Sequence, residues 1–263
     1  MANTAPNALI DSHCHLDLDA FDSDRDAVMQ AAQAAGVMRM HIPGTIASRW
    51  DALLAAAQQP EIDISLGLHP YFLDSISQQD LATQLQRLDA LLSEHTQSIS
   101  AVGECGLDAV IVVDIARQLA VFERHVQLAQ NHQKPLIVHA RKTHHLIHQR
   151  LSESRFVGRG IIHAFSGSID LAKQYVERGF LLGIGGTITY PRAQKTRDAI
   201  RQIGLDAIVL ETDSPDMPLC GFQGQRNTPA QVVKVARTVS ELLEEDFTTV
   251  CQKTSNNYLA LFA

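Results

Sequence analysis

The chain is short of aromatics, of cysteine pairs and of long apolar runs, and each shortage narrows what it can be. Its four cysteines, Cys14, Cys105, Cys220 and Cys251, are scattered over 263 residues with no Cys-x-x-Cys pair. That spacing excludes a thiolate zinc knot and a secreted disulfide framework. No apolar stretch approaches the roughly 20 residues of a membrane-spanning helix, so no membrane is expected as a partner. Aromatics are only 5% of the chain, which leaves little surface for stacking nucleic-acid bases. Basic residues are not in excess: the net charge of −7 excludes a generally cationic nucleic-acid coat. A phosphate substrate would have to be drawn by a local field. The first residues carry neither a basic patch nor an apolar leader, so the expected location is the cytoplasm. No low-complexity linker or compositional break interrupts the chain, and one domain over residues 1–263 is expected.

Short β-branched runs alternate instead with amphipathic stretches. The patterns predict strands at 8–15, 37–43, 62–68, 99–104, 136–139, 160–163, 180–185 and 207–211. Helices are predicted at 25–35, 47–58, 79–95, 115–132, 143–152, 169–178, 193–203 and 229–244, with a closing helix at 246–262. Ser48, Ser75 and Ser77 are candidate helix caps, and Gly36 and Gly179 stand where helices end. Eight βα units imply a parallel sheet with right-handed crossovers, and eight is the number that closes a TIM barrel. The expected fold is α/β, a single TIM (β/α)8 barrel with an extra C-terminal helix. The competing doubly wound sheet would favour a glycine-rich loop after the first strand. That place holds His13-Cys-His-Leu-Asp17.

In TIM barrels the chemistry sits at the C-terminal ends of the strands. Strand one ends in His13 and His15, strand three in His69, and strand four in Glu104 and Asp108. Strands five, six and eight end in His139, His163, and Glu211 with Asp213. One strand-end histidine is ordinary. Four histidines and two carboxylates converging on one mouth would leave partly buried polar groups short of partners, a penalty that divalent cations remove. Six ligands exceed the three that a catalytic zinc takes from protein and suit a two-metal centre. Glu104 is the candidate bridge. His13, His15 and Asp213 would complete one ion, and His139 and His163 the other. Glu211 and Asp11 alternate in phase with Asp213 and His13 and are candidate supports for those ligands.

Seven motifs then fall in order: Asp11-Ser-His-Cys-His-Leu-Asp, Gly67-Leu-His-Pro, Gly103-Glu-Cys-Gly-Leu-Asp, Pro135-Leu-Ile-Val-His-Ala-Arg, His163-Ala-Phe-Ser-Gly, Glu211-Thr-Asp-Ser-Pro and Arg226-Asn-Thr-Pro. The set resembles the TatD family of metal-dependent hydrolases, within the amidohydrolase-like barrels. Gly185-Gly-Thr-Ile-Thr-Tyr-Pro-Arg and Pro218-Leu-Cys-Gly-Phe-Gln-Gly-Gln look like its YjjV-type branch. The resemblance implies a binuclear metal site at His13, His15, Glu104, His139, His163 and Asp213, and hydrolysis of nucleic acid as a deoxyribonuclease. Two positions depart from the family pattern: Ala109 stands where an aromatic is common, and His125 where a glutamine is common.

The expected reaction is hydrolysis of a phosphodiester by a hydroxide bridging the two cations, with Glu104 and Asp213 as catalytic residues. Asp213 would orient the nucleophile and take its proton. Two divalent ions set against two carboxylates and a hydroxide leave a net charge of about +1, so the metals would turn an anion-repelling mouth into an attracting one. Arg141 and Arg226 are candidate phosphate contacts, and His69, outside both metal sets, a candidate donor to a substrate oxygen. Arg192, Lys195 and Arg197 follow the seventh strand, and Tyr71, Phe72, Phe165, Tyr190 and Phe222 lie on mouth loops. Histidine-rich ligation suits zinc, manganese, cobalt or nickel better than magnesium, which is kept as a working ion. The expected partner is DNA or a small phosphoester, with no obligate protein partner. Two alternatives stand beside this reading. One is an amidohydrolase acting on a small amide or phosphoester, although such enzymes often bridge their metals with a carbamylated lysine where Glu104 stands. The other is a metal-loaded scaffold without catalysis.

Overall fold

The computed structural model describes residues 8–263. Strands and helices alternate as β1 Leu9–Asp11, α1 Arg25–Ala34, β2 Val37–Pro43, α2 Trp50–Ala56, β3 Ile62–Leu66, α3 Gln78–Glu94, β4 Ile99–Asp108, α4 Ile115–Asn131, β5 Leu136–Arg141 and α5 His144–Glu153. They continue as β6 Gly160–Ile162, α6 Ile169–Glu177, β7 Phe180–Ile184, α7 Gln194–Ile203, β8 Ile208–Leu210, α8 Val232–Leu243 and α9 Phe247–Leu261. The strands follow one another in a single eight-stranded sheet in chain order. This is the (β/α)8 barrel architecture with an added C-terminal helix, as the sequence predicts.

The chain divides into two compact units, residues 8–42 with His163–Ala263, and Pro43–Ile162. In the first, β1 pairs in parallel with β2, and β7 with β8. The amide of Ser12 donates to Leu210 O at 2.8 Å, which sets the ends of β1 and β8 side by side. Helix α9 is fixed there by polar ties. Ser255 Oγ donates to Ala8 O at 3.0 Å, and Asn257 Nδ2 donates to Leu205 O and Ile208 O at 2.7 and 2.8 Å. Tyr258 beside it is buried, with its hydroxyl 2.9 Å from His41 Nδ1. Burying one large apolar side chain stabilises by about 1.5–3 kcal/mol, so the closing helix is part of the core.

In the second unit β3, β4, β5 and β6 pair in parallel order. Helix α4 starts at Asp114, whose carboxylate accepts the Ala116 and Arg117 amides. It buries Val121, Phe122, Val126 and Ala129. Ser77 caps α3 by accepting the Asp80 amide at 3.1 Å. Each such cap is worth about 1 kcal/mol.

The bounds differ from the sequence pattern in instructive places. β1 ends at Asp11, so His13 and His15 sit on the extended segment beyond it rather than inside a strand. β4 runs on to Asp108, because Cys105, Gly106, Leu107 and Asp108 pair with Val138, His139, Ala140 and Arg141. Buried Gln118 pins that end: its Oε1 accepts the Asp108 amide at 2.7 Å and its Nε2 donates to Asp108 O at 3.0 Å. The stretch before α2 is a 3-10 turn, Ala47–Arg49, and lacks a side-chain cap.

His125 on α4 is fully buried and acts as a strut. Its Nε2 accepts the Leu68 amide at 3.0 Å, and its Nδ1 donates to Val121 O at 2.8 Å. Burial lowers its pKa from 6.5 to about 4. The folded state therefore keeps it neutral where the unfolded chain takes up a proton. Its full contribution is present above about pH 6.5 and is lost as the pH falls towards 4. A glutamine offers one acceptor and one donor without titrating. Between pH 7 and pH 5, the wild-type protein should lose about 2 kcal/mol more stability than His125→Gln, read from urea unfolding midpoints. Equal losses would remove His125 as the cause.

Candidate metal centre

The first unit gathers its donors where β1 and β8 end. His13 Nε2 and His15 Nε2 are 3.3 Å apart. Both face one carboxylate oxygen, Asp213 Oδ1, at 3.6 and 3.4 Å. Spacing two residues apart brought the rings to one side, and the end of the strand ladder let them converge. The His163 ring stacks on His13 with centroids 4.0 Å apart. Glu211 stands behind His163, with its Oε1 3.8 Å from His163 Nδ1 and accepting the Ala164 amide at 2.5 Å. Two overlapping sets can each enclose a cation: His13, His15 and Asp213, and His13, His163 and Glu211.

The backbone was shaped for this. Asp213 takes a left-handed conformation, φ 55°, with its amide donating to His13 O at 2.9 Å. Gly183 leaves the room that the Glu211 carboxylate fills, since a Cβ there would lie 2.1 Å from Glu211 Oε2. Asp11 is wholly buried and clasps the next strand. Its Oδ1 accepts the Thr212 amide at 2.9 Å and its Oδ2 the Thr212 hydroxyl at 2.6 Å. Asn227, from the Arg226-Asn-Thr-Pro motif, donates to Thr212 O and Asp216 O at 2.9 and 3.0 Å and holds the loop around Asp213.

The electrostatics are those of a cation site. Burial raises the Glu211 pKa to about 8, only partly opposed by His163. Burial would also raise Asp213, but the hydrogen bond from His15 and the fields of His163, His13 and His15 outweigh it and bring the value down to about 2. Glu211 Oε2 is buried with no hydrogen-bond partner among the described residues. A buried carboxylate oxygen of that kind is satisfied by a positive charge. The donor set, imidazole nitrogens beside carboxylates, fits a borderline divalent metal.

The second unit has its own group at the ends of β3, β4 and β5. Glu104 Oε1 lies 3.2 Å from both His69 Nε2 and His139 Nδ1, and these three residues can enclose a cation. His139 Nε2 meets Asp108 Oδ2 at 3.2 Å. Asp108 is buried, which would raise its pKa, but His139 and the Val110 amide outweigh that and lower it. A carboxylate on the far nitrogen fixes the ring and leaves Nδ1 for a metal. His69 is wired in the opposite sense. Its Nδ1 accepts the Tyr71 amide at 3.1 Å, so the proton of the neutral ring sits on Nε2, facing Glu104. In that state His69 is a hydrogen-bond donor, which leaves Glu104 and His139 as the candidate metal donors of the group.

The donors thus divide by unit. His13, His15, His163 and Asp213 gather with Glu211 in the first, and Glu104 and His139 gather with His69 in the second. Arg141 is largely exposed, 3.8 Å from Asp108. Arg226 is held by Asp24 through two bonds of 2.9 and 2.5 Å and covers the Phe21 ring at 4.7 Å. Phe165 is buried, while Tyr71 is exposed. Sequence reasoning missed the supporting roles of Gln118, Thr212 and Asn227. Asn227 was signalled by its motif, whereas Gln118 lies inside a helix pattern with nothing to mark it.

Comparisons with known proteins extend over nearly the whole chain. The model of the TatD related DNase family matches residues 10–263. The metal-dependent hydrolase YjjV of Escherichia coli K12 is 40% identical over 256 residues, covering 96% of this chain and 97% of its own. A metal-dependent hydrolase of Haemophilus influenzae is 35% identical, covering 96% and 98%. The crystal structure of YjjV, a TatD homologue, superposes with a TM-score of 0.91 at 38% identity, over 98% of this chain and 99% of that one. With the family model spanning the described barrel and such relatives matching it almost end to end, the chain belongs to the TatD family of metal-dependent hydrolases.

Proposed function

We propose that the protein hydrolyses phosphodiesters and is a deoxyribonuclease of the TatD type. The observation that carries this reading is the convergence of His13 and His15 on a single oxygen of Asp213, within 3.6 Å, in a chain of this family. Two divalent cations are proposed. His13, His15, His163 and Asp213 are the donors in one unit, and Glu104 and His139 in the other. When bound, such cations supply Lewis acidity and offset phosphate charge.

The chain's own groups supply the rest. Asp213, whose Oδ1 faces both His13 and His15, is the acceptor for the proton of the attacking water in this reading. Glu211 and Asp11 fix the backbone and rings around it. His69 offers an N–H to a phosphate oxygen, and Arg141 a guanidinium at the exposed end of β5. Among the described residues no helix is long and apolar enough to cross a membrane.

Three outcomes check this reading. Chelation should abolish binding of a single-stranded DNA as well as its turnover, measured side by side by fluorescence anisotropy and product release. A chelated protein that still holds the strand tightly contradicts the charge argument. Asp213→Asn should lower kcat by about 100-fold or more while the thermal melt stays cooperative. His69→Ala should lower kcat with metal content intact by elemental analysis. Loss of one metal equivalent would instead make His69 a ligand.

A further inference from the structure

Beside the first unit's donors lies a cavity of about 460 Å³, walled by Ser166, Thr187, Tyr190, Arg192 and Met217. Its size falls within the range of roughly 300–1,000 Å³ typical of small-molecule sites. Thr187 and Met217 also line the narrow cleft at Glu211, Thr212 and Asp213, so cavity and cleft share a wall. Whatever binds in the cavity is therefore next to the carboxylate proposed to accept the proton.

The walls have a defined chemistry. Tyr190 is held by its hydroxyl, which donates to Pro218 O at 2.7 Å. This leaves the ring as a fixed plane. The Arg192 guanidinium lies over that ring at 4.8 Å from its centroid. Arg192 is exposed and has no carboxylate partner among the described residues. Two neighbouring arginines are committed elsewhere. Arg197 donates to Ile188 O at 2.8 Å, and Arg226 is held by Asp24. A guanidinium without a carboxylate partner among the described residues, the hydroxyls of Ser166 and Thr187, and a wall of Met217 and Tyr190 suit an anion joined to a flat apolar group.

We infer that this cavity is a nucleotide subsite: it holds the residue flanking the scissile phosphodiester, with Arg192 on that residue's phosphate and Met217 and Tyr190 against its base. The inference rests on the phosphodiesterase reading of the adjoining site. It adds a specificity determinant to that reading, because a small phosphoester without a flanking nucleotide leaves the cavity unused. It also gives an acidic protein a local cation for a polyanion.

The experiment uses the metal-loaded full chain and Arg192→Ala. Two readouts are taken. The first is binding of a fluorescein-labelled, phosphorothioate-linked single strand, followed by anisotropy over a salt series. The second is the ratio of kcat/KM for a short single-stranded DNA to that for bis(p-nitrophenyl) phosphate. The substitution should weaken strand binding roughly tenfold, lower the slope of log K against log salt by about 0.7, and lower the selectivity ratio by about the same tenfold factor. Unchanged strand affinity and salt slope in the variant overturn the subsite, and so does an unchanged selectivity ratio. If the wild-type protein hydrolyses neither substrate, the phosphodiesterase reading fails, while the binding arm still decides whether Arg192 holds a nucleic-acid phosphate.

Discussion

One buried carboxylate anchors the first unit. Asp11 has no solvent contact and lies at the end of β1, and both of its oxygens are taken by Thr212, just beyond β8. Two residues after Asp11 comes His13, and one residue after Thr212 comes Asp213. The clasp therefore sets the distance between the imidazoles and the carboxylate that face each other. Burial raises the Asp11 pKa to about 7 against the lowering pull of the Thr212 and His13 bonds. Taking a carboxylate out of water is costly unless its oxygens are hydrogen-bonded, and here the bonds fall on the one segment whose position matters.

The same logic repeats outward. Three of the rings that face the centre each have a neighbouring group beside them. Asp108 holds His139, Glu211 stands behind His163, and the Tyr71 amide fixes the tautomer of His69. Asp108 and Glu211 are in turn held by backbone amides, those of Val110 and Ala164. Short elements at strand ends thus gain the rigidity that a metal centre needs, since ligand atoms must be preplaced to within a fraction of an ångström.

Charge is managed locally. An overall excess of acid is compatible with a polyanionic substrate only where positive charge is concentrated. Several arginines near the site are spent on structure, such as Arg226 against Asp24 and Phe21, and Arg197 against a backbone carbonyl. Arg192, stacked on Tyr190, stands apart from them in having no acidic partner among the described residues.

The eightfold βα alternation, the imidazoles and carboxylates near the strand ends and the closing helix were all readable from the chain, because each is a local pattern. Alternation, helical periodicity and motif spacing act over a few residues, and the barrel repeats the same local unit. The end of β4 was not readable: the strand pattern stops at Glu104, and the pairing with β5 that carries the strand to Asp108 is non-local. Nor were the individual pairings, with His163 stacked on His13, and His139 between Glu104 and Asp108. The fates of Arg226 and His125 were settled the same way, one by an acid 202 positions distant and the other by an amide 57 positions distant. Such pairings depend on which loops and strands come to lie together, and only the folded chain brings them within hydrogen-bonding range.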